Sequence, residues 1–349
     1  MSDERERIEA WLKAVNADKA AREFLEDLIK SLGDSDNIEE WLMANEHFIN
    51  ALPEEPFDSS GDSKPKAPVV PVDSSKIDAW LKAHEKPEIH IDYAKPSAPI
   101  PVGASKIGGC PDVPAGFVWP RYEGGDNLES GREGLERPLS FLAQFDLAEV
   151  APFDKDGLLP KTGHLAFFYD NEGVYDGGMC WEGLGARVFY FPSGTALARM
   201  EIPDDMGEDA DIPELALTFS TRTSRPTMND WPYELQDEAG SADYEEQNDA
   251  EQGCKIFGNP YVIQNPMEQE CQLCLMDLEW GAQDAPETRD AVRAGMNDWI
   301  LLLQLDSLYV KKYADVMFGY DSGALYFWIR KQDLAAGDFG KVCQLLQYC

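Results

Sequence analysis

The sequence predicts an α+β protein: a strand-rich core built from an internal duplication, with a small N-terminal α-helical appendage. Three observations lead there. Short apolar and aromatic runs bounded by Gly, Pro and Asp, such as "SFLAQFDL" and "GHLAFFYD", have the length and composition of strands. Blocks of the second half repeat blocks of the first at constant spacing. One helical phrase occurs three times, as "IEAWLKA" at residues 8–14, "IEEWLMA" at 38–44 and "IDAWLKA" at 77–83, and never afterwards.

Each helical phrase places Ile, Trp and Leu at i, i+3 and i+4, on one stripe of a helix with the charges outside. Asp36 with Glu39, and Ser75 with Asp78, have the spacing of a capping box. Between the first two copies, "AAREFLEDLIKSLG" reads as a further amphipathic helix stopped by Gly33. Residues 1–52 are therefore expected to form a small helical bundle. The stretch "LPEEPFDSSGDSKPKAPVVPV" has five prolines in 21 residues, so 53–74 reads as an extended linker. Residues 75–99 read as the third Trp helix and a second Pro-rich linker. A helix of ~11 residues is not stable alone in water, so it must dock, first of all within its own chain.

The core, 100–349, carries the duplication. "FLAQFDL" at 141–147 and "GHLAFFY" at 163–169 recur as "LLLQLDS" at 301–307 and "GALYFWI" at 323–329, all offset by 160. "KIGGCP" at Lys106 matches "KIFGNP" at Lys255 at an offset of 149, so the second copy carries eleven extra residues, expected as a loop. The halves are about 100–200 and 250–349. The near-continuous apolar runs predict strands buried on both faces, and the second copy's strand is expected to start at Trp299. Between the halves, 201–252 holds sixteen acids and only two bases, Arg222 and Arg225, and reads as an acidic insertion.

Thirty basic against 65 acidic residues give a net charge of −35. Such a surface repels phosphates and anionic bilayers, which argues against direct nucleic-acid or membrane binding and for a basic protein partner. No apolar run reaches the ~18 residues of a membrane helix. The charged start "MSDERERIEA" lacks an apolar signal region, and the seven cysteines are scattered, so a reducing cytoplasm is expected.

Catalytic motifs are scarce. His47, His84 and His90 fall in the appendage or linkers, and His164 reads as a packed or surface residue whose counterpart is Ala324. Cys271 and Cys274 have the spacing of a zinc half-site, but suitably spaced further ligands are missing, so they read as two thiols in or near a strand. The run 204–211 fails the calcium-loop pattern, since its twelfth position is Leu215. No cofactor and no metal is expected. The remaining polar candidates are Gln144 with Asp146 and Gln304 with Asp306. Residues two apart in a strand share a face, so the pairs could converge on a cleft between the halves, or each could serve backbone at its own strand end.

"GGCPDVPAGFVWP", "PLSFLAQFDLAEV", "LPKTGHLAFFYD", "KIFGNPYVIQNP", "DWILLLQLDS" and "DSGALYFWI", in this order over roughly residues 100–335, resemble the YwqG-like family, a bacterial family of unknown function. The resemblance implies an α+β, strand-rich fold and no established reaction. It also implies an association with toxin and immunity genes. Its Pro-Trp-Pro framework brings Trp119 into the candidate binding set beside Gln144, Asp146, Gln304 and Asp306. The expected function is a cytoplasmic, non-enzymatic protein-binding module, an immunity-like inhibitor or adaptor for a basic partner. The alternative is a hydrolase or small-ligand enzyme using Asp146 and Asp306 between the halves. Carboxylates placed far apart would exclude that alternative.

Overall fold

Among the described residues, ten strands join in one antiparallel sheet. In chain order these are β1 (Lys86–Ala94), β2 (Lys106–Ile107), β3 (Ser140–Asp146), β4 (His164–Tyr169), β5 (Ala186–Phe191), β6 (Leu215–Ser224), β7 (Cys254–Phe257), β8 (Trp299–Asp306), β9 (Ala324–Arg330) and β10 (Cys343–Gln347). Their order across the sheet is β10-β9-β8-β7-β1-β6-β2-β3-β4-β5. The computed structural model describes residues 75–122, 136–171, 185–207, 211–227, 252–278, 281–319 and 323–348. The chain divides into two compact units, Met1–Pro71 and Val72–Cys349. The expected bundle, 1–52, and linker, 53–74, lie outside the described residues.

The sheet curls until it is nearly closed. The Phe167 ring on β4 meets Phe327 on β9 at 5.1 Å across the interior, although six strands lie between them in the sheet order. Tyr190 on β5 reaches Phe339, in the short turn Phe339–Lys341 before β10, at 5.5 Å. The interior is packed with Ile89, Ile91, Phe145, Leu303, Leu305 and their neighbours. A second apolar layer, with Phe141, Phe168 and Trp119, covers the outside of β3–β5. A third, with Cys271, Leu301, Tyr326 and Trp328, covers the outside of β8–β10. β3 and β9 are thus buried on both faces, which is why their sequences run apolar without alternation. Each large side chain fully buried there contributes about 1.5–3 kcal/mol.

Two sequence expectations are corrected at the centre of the sheet. The Pro-rich stretch read as a linker to residue 99 contains β1, and the acidic insertion contains β6, and these two strands pair with each other along nine residues. β1 alternates Ile89 and Ile91 inward against Glu88, His90 and Asp92, so its period was present but masked by flanking prolines. β6, "LALTFSTRTS", contains no acid; the charge count around it concealed it. Residues 208–210 and 228–251 of the acidic stretch lie outside the described residues.

The helices are short. α1 (Ser75–Ala83) buries Ile77 and Leu81, stacks Trp80 on His84 at 4.1 Å and runs straight into β1. Asn259 Nδ2 donates to His84 O (2.8 Å) and Arg225 pairs with Glu85 (3.2 Å), so the third Trp helix is tied to its own sheet. α2 (Leu147–Val150) follows β3. α3 (Glu268–Leu275) and α4 (Arg289–Met296) occupy the segment where the extra residues were expected as a loop, and β8 starts at Trp299 as predicted. α5 (Lys331–Ala336) follows β9.

The blocks β2–β5 and β7–β10 run outward from the centre in the same order. Their registers agree in detail. Lys106 stands opposite Gln144 and Lys255 opposite Gln304. The irregularity between Phe141 and Ala143 recurs between Leu301 and Leu303. Asp146 stands opposite His164 as Asp306 stands opposite Ala324.

Candidate functional site

The two glutamines hold matching pieces of backbone. Gln144 Oε1 accepts from Asp112 N (2.8 Å), and its Nε2 donates to Ala104 O and to Asp112 Oδ2 (both 2.8 Å). Gln304 Oε1 accepts from Tyr261 N (2.9 Å), and its Nε2 donates to Gly253 O (2.9 Å). Each amide clamps the chain on both sides of a Lys-Ile strand, satisfying backbone that no ladder reaches. The aspartates match as well. Asp146 N donates to Ser105 Oγ (2.9 Å), while Asp306 N donates to the buried Cys254 sulfur, whose thiol burial pushes up to about 12.

The lysines of both Lys-Ile strands are buried and paired. Lys106 Nζ donates to Glu214 Oε2 (2.8 Å), and Lys255 Nζ lies 3.1 Å from Glu88 Oε2. Close approach of each glutamate needs a glycine with positive φ. A Cβ on Gly109 (φ 67°) would stand 2.8 Å from Glu214 Cβ, and one on Gly258 (φ 79°) would stand 2.7 Å from Glu88 Cβ. Asp112 completes the first network. Burial alone would raise its carboxyl; bonds from Arg199, Gly103 N and Gln144, and the Lys106 charge, outweigh this and hold it below its ordinary value. A depressed carboxylate brings stability that is present above the ordinary Asp range of ~3.9 and is lost as pH falls through its lowered value. Asp112→Asn will therefore flatten the acid limb of a melting-temperature profile between roughly pH 2 and 6. Parallel limbs in variant and parent would show that Asp112 is not linked to folding.

Beside this framework opens a cleft of about 430 Å³, lined by the loop from Pro101 to Ala104 and by Asp146, Glu149, His164, Thr195 and Leu197. Asp146 caps α2 by accepting from Ala148 N (2.9 Å). Glu149 Oε2 accepts from Ser105 N (3.0 Å). His164 Nε2 lies 3.0 Å from Gly103 O, so that nitrogen carries the proton and donates. Val102, 53 % exposed, borders the opening. The lining holds two carboxylates, an imidazole, a hydroxyl and short apolar side chains, and neither Lys nor Arg.

The two predicted pairs have separate hydrogen-bond partners. β3 and β8 are five strand steps apart in the sheet order, and Gln144 and Asp146 bond to Asp112, Ala104 and Ala148 where Gln304 and Asp306 bond to Tyr261, Gly253, Gln252 and Ser307. Trp119 is 5 % exposed inside the outer apolar layer, where its Nε1 donates to Leu139 O (2.9 Å). Cys271 and Cys274 sit on α3, near the strands β8–β10 and not in one, and neither is in a disulfide. Among the described residues no group of three or more His, Cys, Asp or Glu is placed to hold a metal. Asp146 is the one predicted residue that lines the cleft. Glu149 and Thr195 were missed because single polar residues in a short helix and a loop carry no spacing signal, and His164 reads from the sequence as a packed or surface residue.

The chain belongs to the family described as domain of unknown function DUF1963, which matches residues 105–349. The match opens one residue before β2 and includes both Lys-Ile strands, both glutamines and the cleft wall from Asp146 to Leu197. No curated protein matches the chain.

Proposed function

We propose that this is a non-enzymatic, cytoplasmic binding protein, an adaptor or immunity-like inhibitor, whose cleft beside β3 receives a basic segment of a protein partner. The observation that carries this reading is the composition of the cleft: Asp146 and Glu149 line an opening that has no Lys or Arg in its walls. The net charge of −35 supports it, because an acidic surface draws basic partners and raises their encounter rate. On the same reading the core is an internal duplication of the YwqG-like kind, with β1 and β6 as matching first strands that each pair onto the opposite block. The matched Gln, Lys and Asp bonds support that origin. The acidic stretch 228–251 adds to the attraction as a docking aid.

The test uses two charge-only changes. Asn retains the capping bond of Asp146, and Gln at 149 retains an acceptor for Ser105 N. Full-length protein and Asp146→Asn/Glu149→Gln are used as baits in native cell extract at physiological and high salt. The expected result is a stoichiometric basic protein held by the parent, released by salt and held at least about tenfold less by the variant. Equal retention of the same partner by the variant would remove the cleft from the function.

A further inference from the structure

Asp146 and Asp306 occupy matched positions, and the second half displays what an aspartate there accepts. Each closes a strand next to a clamping glutamine, each has its N–H tied to the side chain at 105 or 254, and each caps the following turn, through Ala148 N or Ser307 N. At Asp306 the carboxylate takes a second partner, the carboxamide N–H of Gln252 at 3.0 Å. Among the described residues Asp146 accepts from Ala148 alone. Counting back from the matched carbonyls of Gly253 and Ala104, the position equivalent to Gln252 is Gly103. It has no side chain, and the space beside it is the cleft. The neighbouring strand differs as well, with His164 opposite Asp146 and Ala324 opposite Asp306.

Resting on the binding function proposed above, we infer that the cleft takes an arginine side chain of the partner, whose guanidinium supplies to Asp146 the N–H that Gln252 supplies to Asp306. A neutral carboxamide suffices at Asp306. The first half adds a second carboxylate, Glu149, so the fitting group is a cation. A guanidinium is planar and presents several N–H donors in a fixed fork, so it can serve both carboxylates at once and lie against the His164 ring. An ammonium is a point charge without that shape. Val102 and Leu197 supply apolar surface for the three-carbon stem.

The experiment measures binding of three short, blocked peptides, identical except for a central Arg, Lys or citrulline, to the full-length protein by NMR or calorimetry. Citrulline keeps the shape of arginine and loses the charge. The Arg peptide is expected to bind about tenfold more tightly than either of the others. Asp146→Asn, which keeps the cap, should reduce Arg binding by about tenfold. Gly103→Gln should fill the cleft with the chain's own donor and abolish binding. Because Gly103 has φ 87°, Asp146→Asn decides the matter if that variant does not fold. Equal binding of Arg and Lys, or Arg binding unchanged in Asp146→Asn, overturns the assignment. If the partner captured from extract is lost in Asp146→Asn/Glu149→Gln while the peptides do not discriminate, the docking function stands and the arginine assignment falls. If neither capture nor peptide binding responds to the variants, both fall.

Discussion

Lys255→Met will lower the unfolding free energy by about 3–5 kcal/mol, because it leaves a buried carboxylate without its counter-charge. The Lys255 side chain is 2 % exposed and that of Glu88 7 %, so water cannot take over for the missing cation. His90 Nδ1 lies 3.8 Å from Glu88 Oε1, beyond hydrogen-bond length, and does not replace that cation. The double variant Lys255→Met/Glu88→Gln removes both charges and should recover more than half the loss. Its recovery is read from denaturant unfolding of the two single variants and the double. Additive losses would mean that the two charges are not coupled, and the account would fail. The matched lysine sharpens the comparison. Lys106 is 0 % exposed, but Glu214 is 24 % exposed and keeps Arg199 at 3.7 Å, so Lys106→Met strands much less. Lys255→Met must cost more than Lys106→Met; the reverse order would show that burial of the surviving acid does not set the loss.

These pairs explain what could and could not be seen in the sequence. The strands β3, β4, β8 and β9 were legible because they are buried on both faces and are written as apolar runs at a fixed offset. Their start at Trp299, their order and their matched register follow the repeated blocks. The two central strands were hidden for opposite reasons. β1 alternates correctly but contains Pro87 and is followed by Pro96 and Pro99, and β6 lies in a stretch whose acidity dominates any average. The repeat of Gln-x-Asp was the most specific signal in the chain, and its chemistry was open because its partners are distant. Gln144 bonds to residues 32 and 40 positions away, and Gln304 to residues 43 and 51 away. The cleft was less legible still. It opens beside Gly103, at the position where the other block carries Gln252, and an absent side chain gives no pattern.

The same distant bonds make the glutamines sites of large loss. Gln144→Ala strands Asp112 N and Ala104 O, at about 1–3 kcal/mol for each buried group left unpaired, removes one of the donors to Asp112 Oδ2, and opens a cavity besides. The expected total is roughly 3–5 kcal/mol, since Arg199 and Gly103 N still hold the Asp112 carboxylate. Gln304→Ala strands two groups, Tyr261 N and Gly253 O, and should cost about one such bond less. Glutamate separates hydrogen bonding from packing. It fills the space and can still accept from Asp112 N, but its carboxylate faces Ala104 O and Asp112 Oδ2, both acceptors. Gln144→Glu should therefore be as damaging as Gln144→Ala at neutral pH and regain part of the loss on acidification, when the new carboxyl carries a proton it can donate. The readout is the unfolding free energy of each variant at pH 5 and pH 7. A Gln144→Glu chain as stable as the parent at pH 7 would show that the amide N–H is not needed. The matched glutamine at 304 would then lose the same explanation, and the framework that positions Asp146 at the cleft would have to rest on the ladder alone.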